Sequence, residues 1–455
     1  MLKSIDFTTT HIPILIRKLA VPASVGFIFN TLFNVVDTYY GGKMSTSALA
    51  AMSLTFPVFF IILSMGIGMG TGTTALISQS LGAGRYEDAY KYGFQAVSFS
   101  IINSVLLTIL GLAIAPSLFL ILGATNTYLD IAVQYMNIIL YGTVFFLMNS
   151  ILNSLLTARG DTKTYRNYLI VGFVLNVIFD PWFMYGGLGF PKLGIRGIAL
   201  ATILIQSFGT IYMIIITRKR KVFQHARFND FIPDRKYFVA LFGQGFPASL
   251  NMLTVAIGIF VITYFASHFG KEAVAAYGIA TRIEQLALLP TIGLNIAALT
   301  LAGQNMGADR PERVYKSWQL NIRYGLIIIS IGVLSVYLFA RQLMQAFTAD
   351  IMVIGIGIEY LHIAILFFFA YVFLNISVST LQGMKKPFYA IFVGAYRQFL
   401  IPIPLFFILA IYLGWGTKGI WWGIFVANWS AAIFTFFYTR RQILNLLHRS
   451  AVSKE

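Results

Sequence analysis

The chain has 455 residues, of which 58% are hydrophobic and 11% are charged. Soluble proteins carry about 25% charged residues, so the composition excludes a soluble domain and indicates an all-α polytopic membrane protein. The lack of cysteine excludes disulfides, thiolate metal sites and cysteine nucleophiles. The net charge of +17 does not indicate nucleic-acid binding, because the basic residues concentrate in short loops on one predicted side of the membrane.

In chain order, twelve apolar segments are long enough to cross a bilayer as helices. They run roughly over residues 12–40, 48–78, 92–115, 128–157, 166–188, 194–217, 238–266, 273–303, 318–340, 352–381, 388–413 and 418–439. On the N-terminal side of the membrane lie 25 of the 33 Lys and Arg residues, and six lie on the opposite side. The positive-inside rule therefore predicts that both termini are cytoplasmic. No cleavable signal peptide is evident, so we expect the first span to direct insertion.

The first span carries a carboxylate, Asp37, near the end of its apolar run. A charged side chain inside a span costs about 2.5–3.5 kcal/mol on insertion scales, and such residues are usually functional. A second carboxylate, Asp180, lies in the fifth span, and Asn176 precedes it by four residues, which places both on one helix face. We therefore expect Asp37, Asn176 and Asp180 to face one another across a polar cavity.

The longest charged loop, residues 217–236, separates two halves of six spans each. Its basic run, residues 218–221, is typical of a cytoplasmic linker and could also attract anionic lipid headgroups. The sequence thus predicts an N-terminal lobe, residues 1–225 with spans 1–6, and a C-terminal lobe, residues 226–455 with spans 7–12.

The two halves are related by one constant offset along the chain, here called the repeat offset. The pairs that it matches include Pro22-Ala23-Ser24 with Pro247-Ala248-Ser249, Gln79 with Gln304, Gly82-Ala83 with Gly307-Ala308, and Tyr90-Lys91 with Tyr315-Lys316. Because each half has an even number of spans, the repeats are parallel and related by a pseudo-twofold axis along the membrane normal, which is typical of transporters.

The repeat is broken at the acidic positions. The repeat offset places Asp37 on Ile262. The slightly shorter offset that aligns Gly160 with Gly383 places Asp180 on Ile403. Glu284 is the remaining carboxylate well inside a span, and we expect it to form an ion pair with the adjacent Arg282.

An ordered set of motifs extends over nearly the whole chain: Pro22 with Asp37, Gln79 to Gly84, Arg159-Gly160-Asp161, Asn176 to Pro181, Gly194 to Gly197 with Ala201-Thr202, Pro247, Gln304 to Ala308 and Gln382-Gly383. Together these motifs resemble the multidrug and toxic compound extrusion (MATE) family, in particular its DinF-like branch. The sequence departs from the family pattern in a longer connection between the fifth and sixth spans, residues 185–193.

The resemblance implies roles for residues at matching positions. The ion-coupling set would be Asp37, Asn176, Asp180 and Thr202, which could bind a shared proton or, as hard oxygen ligands, Na⁺. The hinge of the first span would be Pro22 and Gly26, since proline removes a backbone hydrogen bond and glycine lacks a side chain. The substrate cavity would be lined by Tyr135, Asn153, Asn30, Met148 and Asn149.

The leading hypothesis is a secondary active multidrug exporter, not an enzyme, that exchanges H⁺ or Na⁺ for amphipathic, often cationic, compounds by alternating access. The chain lacks a phosphate-binding Gly-x-x-x-x-Gly-Lys-Ser/Thr motif, so ATP hydrolysis is excluded and no cofactor is expected. One alternative is a lipid-linked oligosaccharide flippase of related fold, although only Arg282 and Arg397 supply positive charge within spans. A remote alternative is an intramembrane aspartyl protease, whose usual Tyr-Asp and Gly-x-Gly-Asp motifs are missing.

The expected location is the bacterial inner membrane, with lipid and small drug-like molecules as partners, no nucleic acid, and a monomeric state. For the mechanism, two neighbouring buried carboxyl groups cannot both ionise cheaply. At least one should therefore bind a proton near neutral pH, and its discharge would change the hydrogen bonds of Asp37 and bend the first span at its hinge.

Overall fold

The computed structural model describes residues 6–124, 126–187, 189–220, 222 and 227–452. This part of the chain is almost entirely helical, and its single β-type pairing is a bridge between Gly187 and Phe190. The helices are α1 (Ile12–Met44), α2 (Thr46–Gly82), α3 (Tyr86–Ile121), α4 (Asn126–Tyr141), α5 (Thr143–Ala158), α6 (Lys163–Tyr185), α7 (Ile195–Lys219), α8 (Arg235–Ser267), α9 (Lys271–Gly307), α10 (Pro311–Gln345), α11 (Ile351–Gly383), α12 (Phe388–Ala395), α13 (Pro402–Phe406) and α14 (Thr417–Val452).

Eleven helical segments of the described chain are long and apolar enough to cross a membrane, and twelve if one bent pair counts as a single span. This confirms the predicted all-α polytopic fold. The segment predicted over residues 128–157 is present as a bent pair, in which α4 and α5 meet at an angle of 44°. The bend lies at Gly142, where a Cβ atom would fall 2.0 Å from Ile203 Cδ1 of α7. The missing side chain lets the bend of α4 and α5 approach α7 closely.

The described residues form two compact units. The first, here called the C-terminal unit, contains residues 6–24, 78–84 and 250–452; the second, the N-terminal unit, contains residues 25–77 and 85–249. The predicted lobe boundary at residues 225 and 226 lies outside the described residues. The C-terminal unit also takes residues 78–84, at the end of α2, from the first sequence half. The main difference from the sequence halves is an exchange of helix ends: the first part of α1 packs in the C-terminal unit, and the first part of α8 packs in the N-terminal unit.

These two exchanged helix ends are held by equivalent contacts. In the C-terminal unit, Ser24 Oγ donates a 2.8 Å hydrogen bond to the Pro290 carbonyl oxygen, and a Cβ atom on Gly293 would lie 2.1 Å from the Ala20 carbonyl oxygen. In the N-terminal unit, a Cβ atom on Gly68 would lie 2.1 Å from Ser249 Oγ. The repeat offset that relates Ser24 to Ser249 also relates Gly68 to Gly293, so the sequence repeat is also a repeat of packing.

Each exchanged helix end is preceded by a short segment that is tied down within the same unit. Before α1, the backbone is fixed by Arg310 Nη1, which donates to the Thr8 carbonyl at 2.6 Å, and by Arg313 Nη2, which donates to the Thr10 carbonyl at 2.6 Å. Before α8, a 3₁₀ turn (Phe228–Phe231) is fixed by Gln95 of α3, whose amide donates to the carbonyl oxygens of two residues at 2.8 Å. Both helix ends are therefore anchored by backbone carbonyl groups that accept hydrogen bonds from side chains.

Candidate ion-coupling site

Asp37 lies on α1 inside the N-terminal unit, and its carboxylate is held from two other helices. Asn176 Nδ2 of α6 donates a 2.8 Å hydrogen bond to Asp37 Oδ1, and Thr202 Oγ1 of α7 lies 3.4 Å from Asp37 Oδ2. Thr202 Oγ1 also donates to the Ile198 carbonyl at 3.1 Å. The structure thus brings together three of the four residues predicted for ion coupling around one carboxylate.

Asp180 completes the predicted group, but its environment differs. It is fully buried, and neither of its carboxylate oxygens accepts a hydrogen bond from any described donor. The Asp37 carboxyl group lies within hydrogen-bonding reach of it. Two carboxylates have no hydrogen to share, so a bond between Asp37 and Asp180 requires one bound proton.

The oxygen atoms of this group could also act as ligands for a hard cation. Asn176 donates through its amide nitrogen, which leaves its buried Oδ1 without a partner beside the two free oxygens of Asp180. Carboxylate, amide and hydroxyl oxygens are the ligands that such ions prefer. The orphaned oxygens of Asn176 and Asp180, together with Asp37 and Thr202, therefore fit either a proton or Na⁺.

Polar side chains follow one face of α1 next to Asp37. Asn30, Asn34 and Thr38 are spaced by four residues and are exposed. Asn34 Nδ2 donates to the Asn30 carbonyl at 2.7 Å, and Thr38 Oγ1 donates to the Asn34 carbonyl at 2.8 Å. Because polar groups inside spans usually face a water-filled cavity, this face is the best candidate for a cavity wall. Asn34 was missed in the sequence, although its spacing from Asn30 is the signal that identifies it.

The remaining predicted cavity residues lie in two kinds of surroundings. Tyr135 of α4 is largely buried and lies near enough to Asp37 and Asp180 to interact electrostatically with both. Asn153 of α5 is partly exposed and accepts a hydrogen bond from Thr157 Oγ1 at 3.2 Å. Tyr135 therefore borders the acidic pair, whereas Asn153 is a partly accessible polar group on α5.

Asn149 and Met148 are buried within the N-terminal unit. Asn149 Nδ2 donates to Gln206 Oε1 at 2.9 Å, and Asn149 Oδ1 accepts from Thr210 Oγ1 at 3.0 Å. Tyr168 joins this network by donating to Gln206 Oε1 at 2.7 Å. Asn149 thus ties α5 to α7 through hydrogen bonds, and sequence reasoning did not find its partners.

The predicted hinge lies where the chain passes between units. Pro22 is inside the continuous helix α1, and the two units divide this helix between Ser24 and Val25. Gly26 is packed against α6, because a Cβ atom there would lie 3.2 Å from Arg166 Cα. Before the division between the units, Pro22 removes one backbone hydrogen bond from α1. After the division, Gly26 provides a position without a side chain.

Glu284 does not form the expected ion pair with Arg282. Arg282 is exposed, and Glu284 is buried in the C-terminal unit, because residues two apart on a helix point in different directions. Glu284 Oε2 instead accepts a 2.5 Å hydrogen bond from the Tyr360 hydroxyl of α11.

Comparison with known proteins agrees with the fold and the repeat. The family model MatE matches residues 22–182 and 247–408, two segments whose first residues are related by the repeat offset. The probable multidrug resistance protein YoeA of Bacillus subtilis (strain 168) is 25% identical over 439 residues, covering 94% of each chain. The FAD transporter of Shewanella oneidensis is 28% identical over 431 residues, covering 93% of each chain.

A solved structure agrees as well. An outward-facing multidrug resistance MATE family transporter of the MOP superfamily superposes with a TM-score of 0.91 at 26% identity, covering 98% of this chain and 99% of that one. The relatives are named as transporters and none as a protease, so the hypothesis of an intramembrane aspartyl protease is wrong, and the chain is a multi-pass membrane protein of a transporter family. The repeat, the helical fold and the family match show that this chain belongs to the MatE family of transporters.

Proposed function

We propose that this protein is a secondary active exporter that exchanges H⁺, with Na⁺ as the second candidate ion, for amphipathic, often cationic, organic compounds. The observation that carries the proposal is the pair of buried carboxyl groups, Asp37 and Asp180, which lie within hydrogen-bonding reach while both Asp180 oxygens lack a donor. A proton bound between them would satisfy this unmet hydrogen-bonding capacity. Its loss would leave two buried negative charges close together, which is costly.

Proton binding would then change the contacts of α1. With Asp37 ionised, its carboxylate accepts the bond from Asn176 and attracts Thr202. With the pair protonated, the charge that favours these donors is reduced, and α1 is held less firmly against α6 and α7. The hinge at Pro22 and Gly26 is where such a loosened helix would bend, because the chain passes between units there.

Substrate binding and proton binding would be linked through this helix. A bend of α1 would move the polar face of Asn30, Asn34 and Thr38 and so alter the surface offered to a bound compound. If the protonated state has the lower affinity for substrate, an inward proton drives release, which is the requirement for antiport. This is alternating access with the acidic pair as its coupling element.

The available energy is sufficient for such exchange. A tenfold ion gradient supplies about 1.4 kcal/mol, since each tenfold ratio has this value. A membrane potential of about 100 mV adds about 2.3 kcal/mol for each charge moved. One proton per cycle would therefore support a concentration ratio of several hundredfold for a neutral substrate.

We further propose a bacterial inner-membrane location with both termini cytoplasmic, a monomer surrounded by lipid, and two lobes joined near residue 225. The distribution of Lys and Arg between the two sides supports this orientation. Cargo of a second class is also a candidate, because one relative is named a FAD transporter and so carries a phosphate-bearing compound. A lipid-linked oligosaccharide flippase is not favoured, because of the two arginines predicted inside spans, Arg282 is exposed on α9 and Arg397 alone is partly buried.

The test is ethidium transport by purified protein reconstituted in vesicles, with an imposed pH gradient and with or without Na⁺. Transport driven by the pH gradient alone would support proton coupling, and transport that requires a Na⁺ gradient would identify Na⁺ as the ion. The absence of transport under either gradient, in protein that still binds ethidium, would contradict secondary active export of this cargo.

A further inference from the structure

A second polar cluster, here called the arginine cluster, lies inside the C-terminal unit. It consists of Glu284 on α9, Tyr360 and Tyr371 on α11, Arg397, and Asn428 on α14. Tyr360 is 2% exposed, Asn428 is 5% exposed and Glu284 is 9% exposed. The proposed antiport mechanism uses none of these residues, although burying them within spans is costly.

The positive charge of Arg397 is not neutralised by direct ion pairing. Arg397 Nη1 donates to Asn428 Oδ1 at 3.2 Å, and its guanidinium carbon lies 5.3 Å from the centre of the Tyr371 ring. Arg397 Nε is buried and has no hydrogen-bond partner. The ion pairs seen among the described residues do not include Arg397. The guanidinium therefore keeps an unused donor and a net charge.

Glu284, the carboxylate of the cluster, is already satisfied by tyrosine hydroxyl groups. Tyr360 donates to Glu284 Oε2 at 2.5 Å, and Tyr371 also hydrogen-bonds to the Glu284 carboxylate. Tyr371 thus separates the two charged residues, since its hydroxyl group contacts Glu284 and its ring contacts Arg397. Glu284 therefore reduces the effect of the Arg397 charge through space, while the Nε–H group of the Arg397 guanidinium remains available to another acceptor.

The local backbone explains why Arg397 is placed in this way. It lies in a π-helical turn (Tyr396–Leu400), in which the Ile401 N–H donates to the Tyr396 carbonyl at 3.1 Å, five residues back. Pro402 follows and cannot supply the N–H that a regular helix needs. Such turns shift side chains from their regular helical positions and occur frequently at functional sites. A regular helix would direct the arginine elsewhere.

We propose that Arg397 is a binding subsite for an anionic group, a phosphate or a carboxylate, carried by the transported compound. The guanidinium fork binds either group through two parallel hydrogen bonds, and its unused donor lies in surroundings of low dielectric where such bonds are strong. This proposal rests on the proposed export function and extends its substrates to amphipathic anions. The acidic pair of the N-terminal unit would then bind the coupling cation, and the arginine cluster would bind an anionic group of the transported compound.

The experiment uses two probes that differ in one phosphate group, flavin mononucleotide and riboflavin. Binding of each to the purified full-length protein is measured by flavin fluorescence in nanodiscs of zwitterionic lipid, without any ion gradient. We expect Arg397→Gln to weaken flavin mononucleotide binding about ten- to hundredfold, as for loss of a charge-assisted hydrogen bond, and to leave riboflavin binding unchanged. Arg397→Lys should give an intermediate loss.

Glu284→Gln provides a second test variant, because it removes the opposing charge and keeps the shape of the side chain. It should raise the ratio of flavin mononucleotide affinity to riboflavin affinity. If Arg397 serves only to balance Glu284, that ratio will not change, and this result overturns the proposal even if Arg397→Gln fails to fold. Equal weakening of both flavins in Arg397→Gln would likewise overturn it, because it would indicate a role in packing.

A lipid headgroup could supply the same phosphate chemistry, so the measurement is repeated in nanodiscs containing phosphatidylglycerol. Undiminished binding of flavin mononucleotide supports a site for cargo. Loss of this binding in the presence of phosphatidylglycerol, with riboflavin binding retained, would assign the site to lipid and overturn the proposal. Because binding is measured without gradients, a failure of ion-driven ethidium transport would not affect the result, and the two proposals fail independently.

Discussion

The amide of Asn176 donates its hydrogen bond to Asp37 on another helix and not to Asp180, which lies one turn away on the same helix. This arrangement gives the two carboxyl groups different properties: Asp37 has protein donors, and Asp180 has none among the described residues. The pair is therefore stable when a single proton is shared and unfavourable when both groups are charged.

We expect Asp37→Asn and Asp180→Asn each to abolish ion-driven transport, because neither variant can exchange a proton between two carboxyl groups. The measurement is ethidium transport in vesicles with an imposed pH gradient. The matched controls are Ile262→Leu and Ile403→Leu, at the equivalent positions of the second half, which should keep transport near that of the unchanged protein. Transport retained by well-folded Asp37→Asn would disprove the coupling role.

The pH dependence of substrate binding gives a second prediction. In the proposed mechanism, protons and substrate compete through α1, so substrate affinity should fall as the pH decreases through the titration of the acidic pair. For one linked proton the fall approaches about tenfold per pH unit. Asp37→Asn should bind substrate with an affinity that does not vary with pH over this range, as measured by equilibrium binding to purified protein. If the variant keeps the slope of the unchanged protein, Asp180 or Glu284 must provide the coupling.

The packing of α7 against α6 gives a third prediction. A Cβ atom on Gly197 would lie 2.5 Å from the carbonyl oxygen of Phe183, so Gly197→Ala must push the helices apart near Thr202 and Asp180. We expect a loss of about 1–3 kcal/mol in the free energy of unfolding, together with weaker ion coupling. Gly243→Ala is the control, because its Cβ atom meets nothing within 4 Å and alanine favours a helix. A thermal unfolding scan compares the two, and equal stability would contradict the packing argument.

The hinge gives a fourth prediction. Pro22→Ala restores a backbone N–H inside α1 and should stiffen the helix where the chain passes between units. Substrate binding should persist while the transport rate falls severalfold, because bending and not binding is impaired. Pro247→Ala, the equivalent change in α8, should have the smaller effect, since α8 carries Ile262 at the position equivalent to Asp37. Equal effects of the two variants would indicate a shared structural role for the prolines.

Much of this molecule was predictable because its signals are local or periodic. Apolar length gave the spans, and the four-residue spacing of Asn176 and Asp180 placed them on one face. The break at Gly142 was not predictable, since it depends on a close approach to Ile203 of α7, which is remote in the sequence. The pairing of Glu284 with Arg282 was wrong because neighbours in sequence diverge on a helix, and the true partner, Tyr360, lies 76 residues away.

The polar networks could be predicted only in part, for the same reason. Asn149 is recognisable as a polar residue in an apolar segment, but its partners Gln206 and Thr210 lie on another helix. A single sequence shows which side chains need hydrogen bonds and not where the matching groups lie in space. The acidic pair was an exception, because Asp37 and Asp180 both lie within spans of the first half, where a carboxylate needs a polar partner.

The exchanged ends of α1 and α8 have a consequence for how such a chain could arise. A single repeat on its own would leave the surface beside Gly68 or Gly293 uncovered and its own first helix end without a packing partner. A precursor with one repeat would therefore have to form an intertwined homodimer, in which the first helix end of each copy packs in the other copy. Fusion of two copies turns that exchange between molecules into an exchange within one chain, so assembly no longer depends on protein concentration.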